Sequence, residues 1–134
     1  MLDTNILLDW LLDRDTHRTA EIDNLFASSK ELHIPDPIIV ELVFALEKFY
    51  ELPRTLVADN LNKVLVEPVF NSNRVIFRRA ITEYVEHPAW SFLDCCLLNY
   101  AEQLDALPVW TFDKKLVSQG TGRAQKPKRV PYTS

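Results

Sequence analysis

The segment 91–113 constrains the fold most, because it places a capped helix with few charges directly before a short apolar strand. Ser91 is a good N-cap residue, and the run from Phe92 to Leu104 has the sparse charge of a largely buried helix. Residues 108–112, PVWTF, then have the composition of a short buried strand. A helix followed by a buried strand is the repeating unit of an α/β fold.

The rest of the chain continues this alternation. Strands alternating with helices form a mostly parallel sheet with right-handed crossovers, so we expect an α/β fold. One domain over residues 1–134 fits the length, with a basic tail at about 119–134. The patterns predict helices at 6–12, 17–30, 37–51, 53–64, 74–86, 92–104 and 114–117, and strands ending at 3, at 31–34, 65–70 and 108–112, and at an edge around 129–130.

Composition and charge describe an ordinary globular chain with an uneven charge distribution. The net charge is −4, yet residues 114–134 hold six basic and no acidic side chains. Such a tail either contacts a polyanion or only improves solubility. Cys95 and Cys96 are too few for a zinc site, so buried free thiols in a reducing compartment are expected. With no signal peptide and no long apolar run, the sequence predicts a cytoplasmic protein without a membrane segment.

Four carboxylates stand out from the other acidic residues. Asp3 and Asp113 follow predicted strands, while Glu41 and Asp94 have mostly apolar neighbours three and four positions away on their helices. An ionised carboxylate on a core-facing stripe is costly unless a partner keeps it charged. Other acidic residues have more polar surroundings and are predicted to face water, among them Asp9, Asp13, Glu83 and Glu102.

The carboxyl ends of parallel strands meet at one edge of a sheet, which is where α/β proteins bind ligands. Four acids gathered there would repel one another, and a hard divalent cation such as Mg²⁺ or Mn²⁺ would relieve that repulsion. Two such ions, about 3.5–4 Å apart, can activate water and stabilise the leaving oxygen in phosphodiester hydrolysis.

The ordered set of short motifs resembles a PIN domain, most closely the VapC-type toxins of bacterial toxin–antitoxin pairs. The motifs are LDTNILLD at 2–9, Glu41 on its helix, FLD at 92–94 and WTFD at 110–113, and the match runs from residue 2 to about 117. The resemblance implies a three-layer α/β/α sandwich with a central, mostly parallel sheet whose first and fourth strands are neighbours. It also implies metal-dependent endonucleolytic cleavage of RNA, a cognate antitoxin partner and a homodimer.

By this resemblance, each site residue has an implied role. Asn5 and Thr111 match polar residues that support the acids, and Lys114 and Lys115 are candidates for phosphate contacts. Four acids match the catalytic, metal-binding set: Asp3 and Asp94 as ligands, Glu41 and Asp113 as residues that complete the cage and position the attacking water.

One departure and two alternatives accompany the resemblance. The family usually has several apolar residues before the first aspartate, whereas two residues precede Asp3, so we expect a shortened central strand. Whether the natural start lies upstream of Met1 stays open. A PIN-like module that binds RNA or protein without cutting is the main alternative. An aspartyl-phosphate phosphatase with Asp3 as nucleophile would need an aspartate where Asn5 stands.

Overall fold

Helices and short strands alternate along residues 1–131, which are the residues that the computed structural model describes. The strands are β1 (Leu32–His33), β2 (Phe70–Asn71), β3 (Val109–Trp110) and β4 (Ala124–Gln125). The helices are α1 (Thr4–Leu12), α2 (Thr16–Ser28), α3 (Asp36–Lys48), α4 (Arg54–Val66), α5 (Arg74–Glu86), α6 (Phe92–Gln103) and α7 (Lys114–Gln119).

The strands form two parallel pairs. β1 pairs with β2 in a register that places Leu32 beside Phe70, and β3 pairs with β4 so that Val109 lies beside Ala124. Parallel pairing with helical crossovers confirms the α/β class. No ladder joins the two pairs within the described residues.

The predicted first strand does not form. Residues 1–3 have no strand assignment, although the backbone N–H of Leu2 donates to the carbonyl oxygen of His33 at 2.8 Å. This single backbone bond does not make a ladder, and α1 already begins at Thr4. The expected neighbourhood of the first and fourth strands is therefore absent from residues 1–131, and Asp3 is not aligned with Asp113 by strand pairing.

Two other strand positions differ from the prediction. Helix α4 continues to Val66 because Leu61, Val64 and Leu65 keep helical spacing against the core, so the next strand is confined to Phe70–Asn71. The last strand is β4, not the predicted edge at 129–130. Residues 132–134 of the predicted basic tail lie outside the described residues.

The core is a single cluster of apolar side chains contributed by helices and strands together. Leu7, Leu46, Phe77 and Leu98 are completely buried within it. Burial raises the pKa of the Cys95 and Cys96 thiols to about 12, so both stay protonated at neutral pH. Both are free cysteines, which confirms the prediction. No helix in the described part of the chain is long and apolar enough to span a membrane.

Candidate active site

Asp3 is exposed at the start of α1, where it is the N-cap residue. Its Oδ1 accepts a hydrogen bond from the backbone N–H of Asn5 at 3.4 Å. Capping holds the carboxylate at the N-terminal end of the helix. Among residues 1–131 no other hydrogen bond reaches this carboxylate, so Oδ2 is available to a ligand.

Asp94 is half-buried in the first turn of α6. The backbone N–H of Asp94 donates to Ser91 Oγ at 3.0 Å, which confirms Ser91 as the N-cap and fixes the main chain beneath the carboxylate. Trp90 is buried and Leu97 is exposed, so Asp94 lies at the edge of the core and not inside it. The helix dipole stabilises a negative charge at this position.

Asp113 follows β3 and caps α7. Its Oδ1 accepts from the backbone N–H of Leu116 at 2.9 Å, while its own N–H donates to Thr111 Oγ1 at 3.1 Å. Thr111 therefore contacts Asp113 through the main chain and not through the carboxylate. Lys114 and Lys115, both exposed, are the next two residues and open α7.

Glu41 is exposed on α3 at the rim of a groove of about 500 Å³. Val40, Phe44 and Tyr100 also line this groove. The apolar neighbours that suggested a core-facing position for Glu41 form an open surface instead, and that expectation was wrong. Helical spacing shows that residues share a face, but it does not show what covers the face.

The four acids are not gathered into a closed ligand cage. Within residues 1–131 no group of three histidine, cysteine, aspartate or glutamate side chains is placed to hold a metal ion. Mg²⁺ needs oxygen ligands at about 2.0–2.1 Å, so the side chains would have to turn toward one another, a movement that their charges oppose without a cation. The donor set itself, all carboxylate oxygens on mostly exposed side chains, fits a hard divalent ion.

The sequence did not predict an ion-pair network that Asp9 of α1 forms with Arg14 and Arg18. Asp9 is only 5% exposed, and it accepts from Arg14 Nε at 2.8 Å and from Arg18 Nη1 at 3.1 Å. Burial of the carboxyl group raises its pKa, but the hydrogen bonds from Arg18 and Arg14 outweigh burial, and the pKa is lowered. The prediction that Asp9 faces water was wrong, because its partners lie beyond the end of the helix and outside any helical spacing.

A second network joins Glu83 on α5 to Arg123 just before β4. Arg123 Nη2 donates to Glu83 Oε1 at 3.0 Å, and Glu102 Oε1 lies 2.9 Å from Arg123 Nε. Asn99 Nδ2 on α6 also donates to Glu83. The prediction that Glu83 and Glu102 are ordinary surface residues was therefore wrong. The positive charge of Arg123 is paired with these two carboxylates and is not available to bind a polyanion.

The parallel strand pairs and their flanking helices define an α/β protein. Three of its carboxylates, those of Asp3, Asp94 and Asp113, lie at helix N-termini. The family model of the PIN domain matches residues 1–120, and the chain belongs to this family. A VapC ribonuclease from Aquifex aeolicus (strain VF5) is 27% identical over 123 residues, which cover 90% of this chain and 91% of that relative. No solved structure gives a significant match.

Proposed function

We propose that this chain is a metal-dependent endoribonuclease that hydrolyses RNA phosphodiester bonds, and that it is the toxin of a toxin–antitoxin pair. The observation that carries the proposal is the placement of Asp3, Asp94 and Asp113 at helix N-termini. The carboxylates of Asp3 and Asp113 cap their own helices, and the backbone N–H of Asp94 donates to the cap residue Ser91. Membership of the PIN family and the similarity to a VapC ribonuclease support the same activity.

The proposed role of each acid is the one that the resemblance to the PIN family implies. Asp3 and Asp94 hold Mg²⁺ or Mn²⁺, and Glu41 and Asp113 complete the cage and orient the attacking water. The bound ion supplies Lewis acidity and offsets the negative charge that builds up on the phosphate oxygens. Water attacks phosphorus and the bond to the leaving oxygen breaks, so no covalent link to the protein forms.

Substrate contacts are proposed for the two lysines that follow Asp113. Lys114 and Lys115 are exposed and carry no ion pair within residues 1–131. A phosphate that approaches Asp113 would therefore meet positive charge on the adjacent turn. Such contacts position RNA without reading its sequence.

The test is cleavage of a mixed RNA pool in Mg²⁺, in Mn²⁺ and in EDTA by the native chain and by Asp94→Asn. Asp59→Asn is the matched control, because Asp59 is an exposed aspartate on α4. We expect cutting by the native chain and the control in either metal, none in EDTA, and a loss of at least about 100-fold in Asp94→Asn. Equal activity of the two variants would refute the assignment of Asp94.

A non-catalytic RNA-binding module is the second candidate, because the exposed Lys114 and Lys115 could contact RNA whether or not a metal ion binds. The same preparations separate the two functions when RNA binding is measured beside cleavage. Binding without cutting in either metal, by chain freed from any antitoxin, would replace the nuclease with the binding module.

For oligomeric state, we propose a homodimer through the face shared by α3 and α6. Phe44 and Leu93 are exposed there and line, with Val40, a groove of about 350 Å³. A second copy that buries this face would remove large apolar side chains from water. Sedimentation should show a dimer that Phe44→Glu dissociates and that the control Val75→Glu, at an exposed position on α5, leaves intact.

The cognate antitoxin remains part of the proposal, as does the cytoplasm as the site of action. The cytoplasm contains RNA and keeps thiols reduced, which agrees with the two free cysteines. Copurification of a small protein that blocks cleavage until it is removed would test the antitoxin directly.

A further inference from the structure

Arg14 runs back along α1 and joins that helix to the end of α3. The chain reverses at Asp13, whose φ of 50° is left-handed. Arg14 then donates from Nε to Asp9 Oδ1 at 2.8 Å and from Nη1 to the hydroxyl of Tyr50 at 2.8 Å. Its Nη2 donates to the backbone oxygen of Asn5 at 3.2 Å and to Asn5 Oδ1 at 3.4 Å.

These contacts decide which end of the Asn5 amide remains free. A guanidinium group has only donors, so the group that Asn5 presents to Arg14 is the carbonyl oxygen. The NH₂ group is then the end available to other partners. An NH₂ group donates to carboxylates and does not ligate a metal ion, and Asp3 lies two residues away at the N-cap of the same helix.

The buried carboxylate of Asp9 holds this arrangement in place. Asp9 lies on α1 between Asn5 and the C-terminal end of the helix. Of its two arginine partners Arg14 is the nearer, at 2.8 Å against 3.1 Å for Arg18. Arg18 also contacts Asp9, but its side chain is 58% exposed and no hydrogen bond joins it to Asn5. Both arginines therefore bind the carboxylate of Asp9, but only Arg14 also contacts Asn5.

We propose that Arg14 is a positioning residue of the acidic site: it holds the side-chain oxygen of Asn5, directs the Asn5 NH₂ group toward the carboxylates, and ties α1 to the helix that carries Glu41. The inference rests on the proposed function, and it assigns Asn5 as a donor to carboxylates and not as a metal ligand.

The first experiment follows the side-chain NH₂ signals of Asn5 by NMR in metal-free protein. Arg14→Lys keeps a positive charge for Asp9 but removes the fork that reaches Asn5. We expect an ordered amide in the native chain and in Arg18→Gln, and an amide that gains fast motion in Arg14→Lys. A mobile amide in the native chain, or one unaffected by Arg14→Lys, would overturn the proposal.

The second experiment measures the Mn²⁺ dissociation constant by calorimetry for the native chain, Arg14→Lys, Asn5→Leu and the double variant. Loss of a group that orients metal ligands weakens binding by about 10–100-fold. If Arg14 acts through Asn5, each single variant weakens binding by about 10-fold and the double variant adds little. Fully additive losses would refute action through Asn5. Thermal unfolding of each variant checks that the fold is retained.

The two experiments also separate this inference from the nuclease proposal. Suppose that Arg14 orders the Asn5 amide but the chain neither binds Mn²⁺ nor cuts RNA. That result would support the positioning of Asn5 by Arg14 and refute only the nuclease proposal. If the chain cuts RNA in Mn²⁺ but Arg14→Lys leaves the motion of the Asn5 amide unchanged, the nuclease proposal stands and the positioning role of Arg14 is refuted.

Discussion

Replacing Glu83 by glutamine should destabilise the fold at the point where α5, α6 and the segment before β4 meet. The side chains of Glu83 and Arg123 are 17% and 22% exposed, and two guanidinium nitrogens contact the carboxylate. Asn99 Nδ2 donates to the same carboxylate at 2.8 Å. Glutamine can still accept from Asn99 and from Arg123 Nη2 through one oxygen, but its NH₂ group would stand in place of Oε2 and face the donor Nη1 of Arg123.

The magnitude follows from the burial of the pair. Removing one partner of a buried ion pair costs about 3–5 kcal/mol. About a fifth of each side chain remains exposed, and Glu102 stays beside Arg123 Nε, so we expect a lower value of about 2–3 kcal/mol for Glu83→Gln. For a chain of this size, 1 kcal/mol corresponds to about 3–4 °C in Tm, which gives a decrease of about 6–12 °C.

The assay is urea unfolding of a double-mutant cycle built from Glu83→Gln and Arg123→Met. We expect a coupling energy of at least about 1 kcal/mol between the two sites. The control is Arg79→Met: Arg79 Nη1 is 3.7 Å from Glu102 and its side chain is largely exposed, so its loss should cost less than about 0.5 kcal/mol. If the coupling energy between Glu83 and Arg123 is no larger than the free energy of unfolding lost in Arg79→Met, the argument from burial is refuted.

Three further predictions concern pH, capping and salt. Burial raises the pKa of Asp9 and of Glu83, but their arginine partners outweigh it and hold each pKa below its ordinary value, so the unfolded state binds more protons. The free energy of unfolding from urea curves should therefore fall as pH drops below about 4.5, less steeply in Asp9→Asn. Ser91→Ala removes the bond to the N–H of Asp94 and should cost about 1 kcal/mol in the same assay. Lys114→Ala should weaken RNA binding equally across sequences and lower the salt slope by about 1, which filter binding at several salt concentrations would measure.

Much of the helical structure was predictable because its signals are local. Ser91 was predicted as a cap, and it accepts a backbone N–H three residues later, as Asn73 does at the start of α5. Caps and apolar spacing act within one or two turns, so the sequence alone contains them. The strands were less predictable, since each is only two residues long and depends on a distant partner for its hydrogen bonds.

The ion-pair networks could not be predicted, for the same physical reason. Arg123 reaches Glu83 across 40 residues and Arg14 reaches Tyr50 across 36, and no local pattern encodes such contacts. Glu41 shows the converse error. Its apolar neighbours suggested burial, but whether a helical face is covered depends on where the other helices pack.

The position of the candidate site was easier to predict than its closure, and the capping bonds explain why. Asp3 and Asp113 each use one carboxylate oxygen to cap their own helix, so the other oxygen is aimed by the same local bond that starts the helix. Glu41 has no such local restraint, because it stands in the middle of α3 and depends on how α3 is held against α1. Core packing between the two helices supplies part of that restraint, and the hydrogen bond from Arg14 to Tyr50, just past the end of α3, adds a contact between distant segments. Bringing the four acids together around an ion therefore depends on contacts between distant segments. The short sequence motifs indicate only local contacts, such as the capping bonds.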